Sequence, residues 1–450
     1  VVFNYIMNIL RVKRKALELL DRVESDNSYL HLLLQKEADA SRGAPEEYPV
    51  LVQLVRGVLE HRAELDETLR PFLSRGIDSL PLPIQQLLRL GAYQIIFLER
   101  VKKRDVVFEA VELTKGGVFK GFSKLVNAVL RKIEPTTLGN DSSRGATLNF
   151  PAWLIERWTR QFGREEVESF CEVSNKPLPL YLRVNNLLTD RSKLESDLMR
   201  EGVVTQPATF SSNSLRVDVL PKDKRLTQLE AFRRGAFFVQ DLSSTIVADI
   251  VSVDKPGIVC DVCAAPGGKA CSVALSIAPF GGVVRAFDHT ERRSGLIQKA
   301  VTRLGLPNVS VGVRDAALVL DSEREKYDAV LLDAPCSGFG TLGRKVDVRW
   351  SKSEDTIREL SEVQERLLCA VATLVKPGGA IVYSTCTIER VENEDIIESF
   401  LRARADFEVE KLSSALPADL STSEGFYRAW PHRHKMAGAF AAKLRKRFAR

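Results

Sequence analysis

Two cysteines at the ends of apolar runs offer the most distinctive chemistry in this sequence. Tyr327 to Gly340 reads YDAVLLDAPCSGFG, an apolar run that delivers Asp333 and then Cys336 in a Gly-rich turn. Gly378 to Thr387 reads GGAIVYSTCT and delivers Cys386. Both runs have the length and composition of buried parallel strands, and ligands in open α/β sheets bind outside the carboxyl ends of such strands. Neighbouring strands would bring two thiols and a carboxylate to one rim. A thiolate adding to carbon 6 of cytosine turns the ring into an enamine that can take a methyl group at carbon 5. Proton loss and thiol elimination then restore the ring, and Asp333 can hydrogen-bond the cytosine edge. One strand-end cysteine is more often inert packing, but a pair beside a cofactor turn points to covalent catalysis.

The cofactor turn is DVCAAPGGKA, Asp261 to Ala270, which ends one strand and opens a helix. Gly267 and Gly268 let a ligand approach the backbone closely, and free N–H groups at the helix start favour an anionic group. Pro266 breaks the G-x-G-x-x-G spacing of dinucleotide sites, and the spacing of a P-loop is absent, so an NAD-linked oxidoreductase is disfavoured. Asp288 ends the next strand roughly 20 residues beyond Gly267, where an acid can hold ribose hydroxyls. Asp315 ends the strand after that and is suited to an adenine amino group. With Asp333, these acids fit a ligand with ribose, adenine and a sulfonium better than one rich in phosphates. S-adenosyl-L-methionine meets that description. Cys260 and Cys263 form a CxxC without a second pair at zinc-ribbon spacing, so no metal is expected.

Alternating strands and helices from about residue 236 predict a doubly wound parallel sheet: GIVCDVCA, GVVRAFD, NVSVGVRD, YDAVLLDA and GAIVYSTC, with helices from Lys269, over 291–304 and over 357–374. FEVEKL and GAFAAKLRK supply further strands, one of them antiparallel. Ahead of this domain, 150–235 alternates helix and strand and predicts a small α+β module, in which Arg183 and Asn185 either touch a phosphate or cap a strand. Residues 11–134 repeat apolar positions at helical spacing and predict an all-α bundle, with Pro83 near a helix start and Gly91 at a close packing point. The polar stretch 135–149 reads as a linker. The apolar opening before RVKRK has the reverse order of a secretory signal, and Met7 offers an alternative start.

The chain has 450 residues, 44% hydrophobic and 28% charged, which suits several soluble domains. No apolar run approaches the roughly 18 residues of a membrane span. Seven cysteines and no signal predict reduced thiols in the cytoplasm. The net charge of +6 is modest, but its placement at Arg100–Arg104, at Lys115, Lys120, Lys124, Arg131 and Lys132, and in the closing KLRKRFAR suits a polyanion as well as a solvated face. His432 and His434 sit in a loop-like PHRH and read as surface polar residues.

The motifs CAAPGGK, DAPCSG and STCT resemble those of the NOL1/NOP2/Sun class of RNA cytosine-5 methyltransferases, and the NusB-like bundle with KLVNAVLRK is similar to the bacterial Sun/Fmu branch. The resemblance covers nearly the whole chain. It implies a NusB-like RNA-binding bundle, a small α+β module and a Rossmann-like methyltransferase domain. The expected activity is S-adenosyl-L-methionine-dependent methylation of carbon 5 of a cytidine in small-subunit (16S) ribosomal RNA by a cytoplasmic monomer. It further implies that Cys263, Ala264, Ala265, Pro266, Gly267, Gly268 and Lys269 line the cofactor pocket with Asp288, Asp315 and Asp333. Cys386 would be the nucleophile and Cys336 would help release product. DNA cytosine-5 methyltransferases instead use a Pro-Cys cysteine as nucleophile, an arrangement that Pro335-Cys336 imitates. Lys345-Val346 replaces the family's usual His-Pro in GRKVDVRW. Another RNA substrate such as tRNA, or a role in ribosome assembly with weak catalysis, are the alternative readings.

Overall fold

The computed structural model describes residues 2–26, 29–40, 47–134, 148–221, 224–251, 253, 255–318 and 321–448. The chain divides into two compact units, Val1–Lys176 with Leu342–Lys352, and Pro177–Thr341 with Ser353–Arg450. All but the last two residues of the expected linker, 135–149, lie outside the described residues.

The first unit is helical: α1 (Val2–Ser25), α2 (Leu30–Ala40), α3 (Glu47–Glu60), α4 (Arg62–Leu69), α5 (Leu82–Phe97), α6 (Lys103–Leu113), α7 (Ser123–Leu130), α8 (Ala152–Phe162) and α9 (Arg164–Ser174). The first helix begins well before Arg11, because no Pro or Gly in the opening stops it. Helix α9 was not anticipated from the sequence; its apolar Val167, Phe170 and Cys171 are buried among charged neighbours. Helix α5 is the hub, buried on almost every face, with α1, α3, α4, α6 and α7 packed around it. Gly91 faces Leu130 so closely that a Cβ would meet its side chain at 2.6 Å. Burying Arg89 in that helix is tolerable because Asp66 accepts two of its hydrogen bonds, at 2.7 and 3.0 Å.

The segment Leu342–Lys352, which follows the Cys336 turn in the chain, also belongs to this helical unit. Its Arg349 is fully buried, donates to the carbonyls of Asn149 (3.0 Å) and Ser174 (3.1 Å), and lies 4.2 Å over the Phe150 ring. Burial draws its pKa down to about 10. Asp347 accepts from the backbone N–H of Leu30 at the start of α2, and Trp350 Nε1 donates to the Leu59 carbonyl at 2.8 Å.

The second unit holds two sheets. Strands β1 (Leu180–Val184), β2 (Val204–Pro207), β3 (Ser214–Val219) and β4 (Phe237–Val239) form an antiparallel sheet in the order β2-β3-β1-β4, with α10 (Arg191–Arg200) alongside. The larger sheet contains β5 (Ile258–Asp261), β6 (Val283–Asp288), β7 (Val309–Val313), β8 (Tyr327–Asp333), β9 (Val375–Thr385), β10 (Phe407–Val409), β11 (Tyr427–Ala429) and β12 (Ala439–Lys446). Its order is β10-β12-β9-β8-β5-β6-β7, with β11 also paired to β12. The five strands from β9 to β7 run parallel and are doubly wound; β10, β11 and β12 are antiparallel additions. Helices α11 (Leu242–Val251), α12 (Gly268–Ile277), α13 (Glu291–Leu304), α14 (Glu354–Val371) and α15 (Glu394–Ala403) accompany the sheet. Thr290 caps α13 and Ser353 caps α14 by accepting backbone N–H bonds, which fixes where these crossovers begin.

Arg183 and Asn185 are structural. Arg183 is buried and donates to Asp249 at 3.2 Å, while Asn185 Nδ2 donates to the carbonyls of Gly235 and Leu304. His432 and His434 lie on a short helix rather than a loop, and the buried His434 Nδ1 accepts from the Trp430 N–H at 2.9 Å. The closing basic run forms β12, where Lys443 and Arg445 pair with Glu410, and Lys446 with Glu325; Arg447 just beyond pairs with Glu408. In the helical unit, by contrast, Lys120, Lys124 and Arg131 are exposed and have no acidic partner among the described residues.

Candidate active site

The order of the parallel strands reverses between β5 and β8, the position where doubly wound sheets bind ligands. Strands β8 and β9 are adjacent and parallel with Asp333 opposite Ser384, so the turns that follow them share one rim. The result is a sulfur–sulfur distance of 3.4 Å between Cys336 and Cys386. Gly340 permits this approach: its N–H donates to the Cys386 carbonyl at 2.9 Å, and a Cβ on it would fall 2.0 Å from the Gly438 carbonyl oxygen. The hydrogen bond to Cys386, reinforced by burial, pushes the Cys336 thiol well above its ordinary pKa.

Beside the sulfurs, Asp333 accepts from Lys269 Nζ at 2.7 Å and from Ser384 Oγ at 2.9 Å. Burial opposes the Lys269 charge, but Asp333 outweighs it and leaves the ammonium more strongly protonated than usual. Asp261 is buried just below, with neither carboxylate oxygen in a well-formed hydrogen bond. Burial, with a contribution from Asp333, raises its pKa to about 8.

The turn from Cys263 to Lys269 is tied to β6: Ala264 N–H donates to the Phe287 carbonyl and Ala265 N–H to Asp288. Gly267 adopts φ +108°, and a Cβ there would meet Ile297 Cα at 3.2 Å, so a side chain is disfavoured twice over. Asp288 is buried and clasped by Arg293 Nε at 2.6 Å; burial works against its ionisation, yet these bonds hold it below the usual carboxylate range. Asp315 is exposed after β7 and accepts from the Ala317 N–H at 2.9 Å. The strand ends thus present Asp333, Asp261, Asp288 and Asp315 in the spatial order of β8, β5, β6 and β7.

The rim brings together Cys336, Cys386, Asp333 and Lys269 from the sequence expectation and adds Asp261 and Ser384, which it lacked. Both stand at the sheet rim in the motifs already singled out, Asp261 opening DVCAAPGGKA and Ser384 opening STCT. Among the described residues, no group of three or more His, Cys, Asp or Glu side chains is arranged to hold a metal ion. No helix among them is long and apolar enough to cross a membrane. A hollow of about 610 Å³ at the opposite ends of β8 and β9 is lined by self-satisfied charges, such as Lys376 with Asp328 at 3.0 Å.

This sheet order, Gly-bearing turn and row of acids define a Rossmann-like methyltransferase that uses S-adenosyl-L-methionine. The Gly-bearing turn at the start of α12, the buried Asp261 carboxylate and the acids at successive strand ends suit that cofactor. Three family models match in succession: the NusB family over 10–135, the RsmF/B-like ferredoxin-like domain over 150–220, and 16S rRNA methyltransferase RsmB/F over 250–445. The chain is 33% identical to the probable ribosomal RNA small subunit methyltransferase B of Bacillus subtilis, covering 97% of this chain and 99% of that protein. It is 30% identical to the ribosomal RNA small subunit methyltransferase B of Shewanella oneidensis, covering 98% and 99%. The crystal structure of PH0851 superposes with a TM-score of 0.80 at 26% identity, covering 96% of this chain and 98% of that one. The chain belongs to the RsmB/F family of 16S rRNA methyltransferases.

Proposed function

We propose that this protein methylates carbon 5 of one cytidine in small-subunit ribosomal RNA through a covalent adduct with Cys386. The observation that carries the reading is the pair of sulfurs 3.4 Å apart beside the Lys269–Asp333 pair. The names borne by the Bacillus and Shewanella relatives support the choice of RNA. S-adenosyl-L-methionine, when bound, supplies the methyl group. Cys263 to Lys269 would hold it with Asp288, Asp315 and Asp333.

Cys386, hydrogen-bonded by the Cys336 thiol, adds as thiolate to carbon 6 and makes carbon 5 nucleophilic. Asp333 accepts from the cytosine edge, and Lys269 balances its charge. After methylation carbon 5 loses its proton to a base, the electron pair forms the carbon 5–carbon 6 double bond, and the bond to Cys386 breaks. Cys336 then donates its hydrogen bond to the departing thiolate. The target cytidine must leave its stack to reach the rim. Residues 11–134 grip the RNA, with Lys120, Lys124 and Arg131 facing phosphates; 135–149 link them to the small module of 150–235 and to the methyltransferase domain from 236 to the end. The protein acts as a monomer in this reading, and reduced thiols suit the cytoplasm.

Two variants test the assignment. Cys386→Ala should abolish turnover while leaving the melting curve intact. Cys336→Ala should accumulate an RNA-linked species on denaturing gels. Turnover by the first variant would refute Cys386 as the nucleophile, and adduct trapping by the first and not the second would reverse the roles of the two thiols.

A further inference from the structure

One fully buried carboxylate has no part in the chemistry above, yet it joins the two cysteine turns. Glu392 accepts from the backbone N–H of Ser337 at 2.8 Å and from its hydroxyl. Gln364 Nε2 donates both to Glu392, at 3.0 Å, and to the Pro335 carbonyl, at 2.8 Å. The residues on both sides of Cys336 are thereby fixed to a single carboxylate. The Ser337 hydroxyl also lies 2.7 Å from the hydroxyl of Thr387, the residue after Cys386. At its other end Glu392 is anchored to β9, because Tyr383 Oη donates to its backbone carbonyl at 2.6 Å.

These hydrogen-bond donors are neutral, so the carboxylate is buried without the ion pairing that usually offsets such a cost. Burial raises its pKa. Packing alone would be served better by an apolar side chain. A rigid acceptor for three donors gives instead a fixed separation between two turns.

We propose that Glu392 is a positioning residue that sets the Cys336 thiol against the Cys386 sulfur and so controls breakdown of the covalent adduct. This rests on the roles proposed above for the two thiols. Without the clamp, Cys386 can still add to the ring, since its own strand holds it. Cys336 drifts, and the departing thiolate loses its hydrogen bond.

The test compares wild type, Cys336→Ala, Glu392→Gln and Ser337→Ala on small-subunit ribosomal RNA with S-adenosyl-L-methionine. Glu392→Gln should lower kcat by about tenfold or more with KM for RNA within about twofold, and should accumulate the covalent RNA species as Cys336→Ala does. Cofactor affinity, measured calorimetrically, should be unchanged. Ser337→Ala keeps the backbone donor and loses the hydroxyl bridge, so it should give the same pattern more weakly; it decides the matter if Glu392→Gln fails to fold. Adduct from Cys336→Ala but none from either Glu392→Gln or Ser337→Ala would overturn the positioning role. So would a loss of adduct formation and turnover in equal proportion, the mark of simple unfolding. Absence of adduct in Cys336→Ala itself would instead refute the underlying roles of the thiols.

Discussion

At the scale of single residues, pH is the sharpest probe of the rim. The folded pKa of Asp261, about 8, stands above the ordinary carboxylate value of 3.8. Its contribution to stability is therefore fully present below the unfolded value and is lost as pH rises through about 8. In cofactor-free protein, Asp261→Asn should melt higher than wild type at pH 8.5, with the advantage vanishing towards pH 4; an advantage independent of pH would contradict the assignment. Lys269→Met should leave Asp333 without its ammonium partner and lower kcat by about a hundredfold, within the range for a removed electrostatic stabiliser. Cys336, Cys386 and Asp333 were legible because strand-end chemistry is local in sequence. Glu392 was not, since its partners Ser337 and Gln364 are 55 and 28 residues away and nothing in ERVENE signals burial. Arg183 shows the converse, a strand-end arginine that invites a phosphate and is used by Asp249.

At the scale of elements, β5, β8 and the second half of β9 were readable because they are buried, mostly apolar runs, while β6 and β7, which are partly exposed, were readable from their β-branched residues and their alternation with helices. The boundaries of α14 and the existence of α9 were harder, because α9 hides three buried apolar positions and a buried serine among four glutamates. Strand β4 pairs with β1 in the small sheet, although FFV reads as the prelude to the next domain. The close approach of the two cysteine turns depends on Gly340. Gly340→Ala should force apart the backbones of residues 340 and 438, destabilise the protein by about 1–3 kcal/mol in denaturant melts, and slow methylation. Cofactor binding should survive, because the Cys263–Lys269 turn follows a different strand. A variant with wild-type stability would show that the turns do not meet as described.

For the molecule as a whole, the important fact is that the helical unit is built from two stretches of sequence. Leu342–Lys352 returns to it from the middle of the methyltransferase domain, contributing Asp347, Arg349 and Trp350. The sequence displayed this segment only as a departure from a family pattern; which helices receive it depends on tertiary packing. Arg349→Met would leave the carbonyls of Asn149 and Ser174 without their donor and should cost at least about 2 kcal/mol. Thermal melts would detect that loss, and an unchanged melt would argue against the anchoring. RNA affinity should fall steeply with added salt, as expected where lysines and arginines meet phosphates.

The central claim is that Cys386 carries a cytidine of small-subunit ribosomal RNA through methylation at carbon 5. Its most direct test is to incubate the protein with labelled S-adenosyl-L-methionine and unmodified small-subunit RNA, and to map 5-methylcytosine nucleotide by nucleotide. A single methylated cytosine, lost with Cys386→Ala, is the predicted result. Label at another atom or base, or methylation that persists in Cys386→Ala, would contradict it.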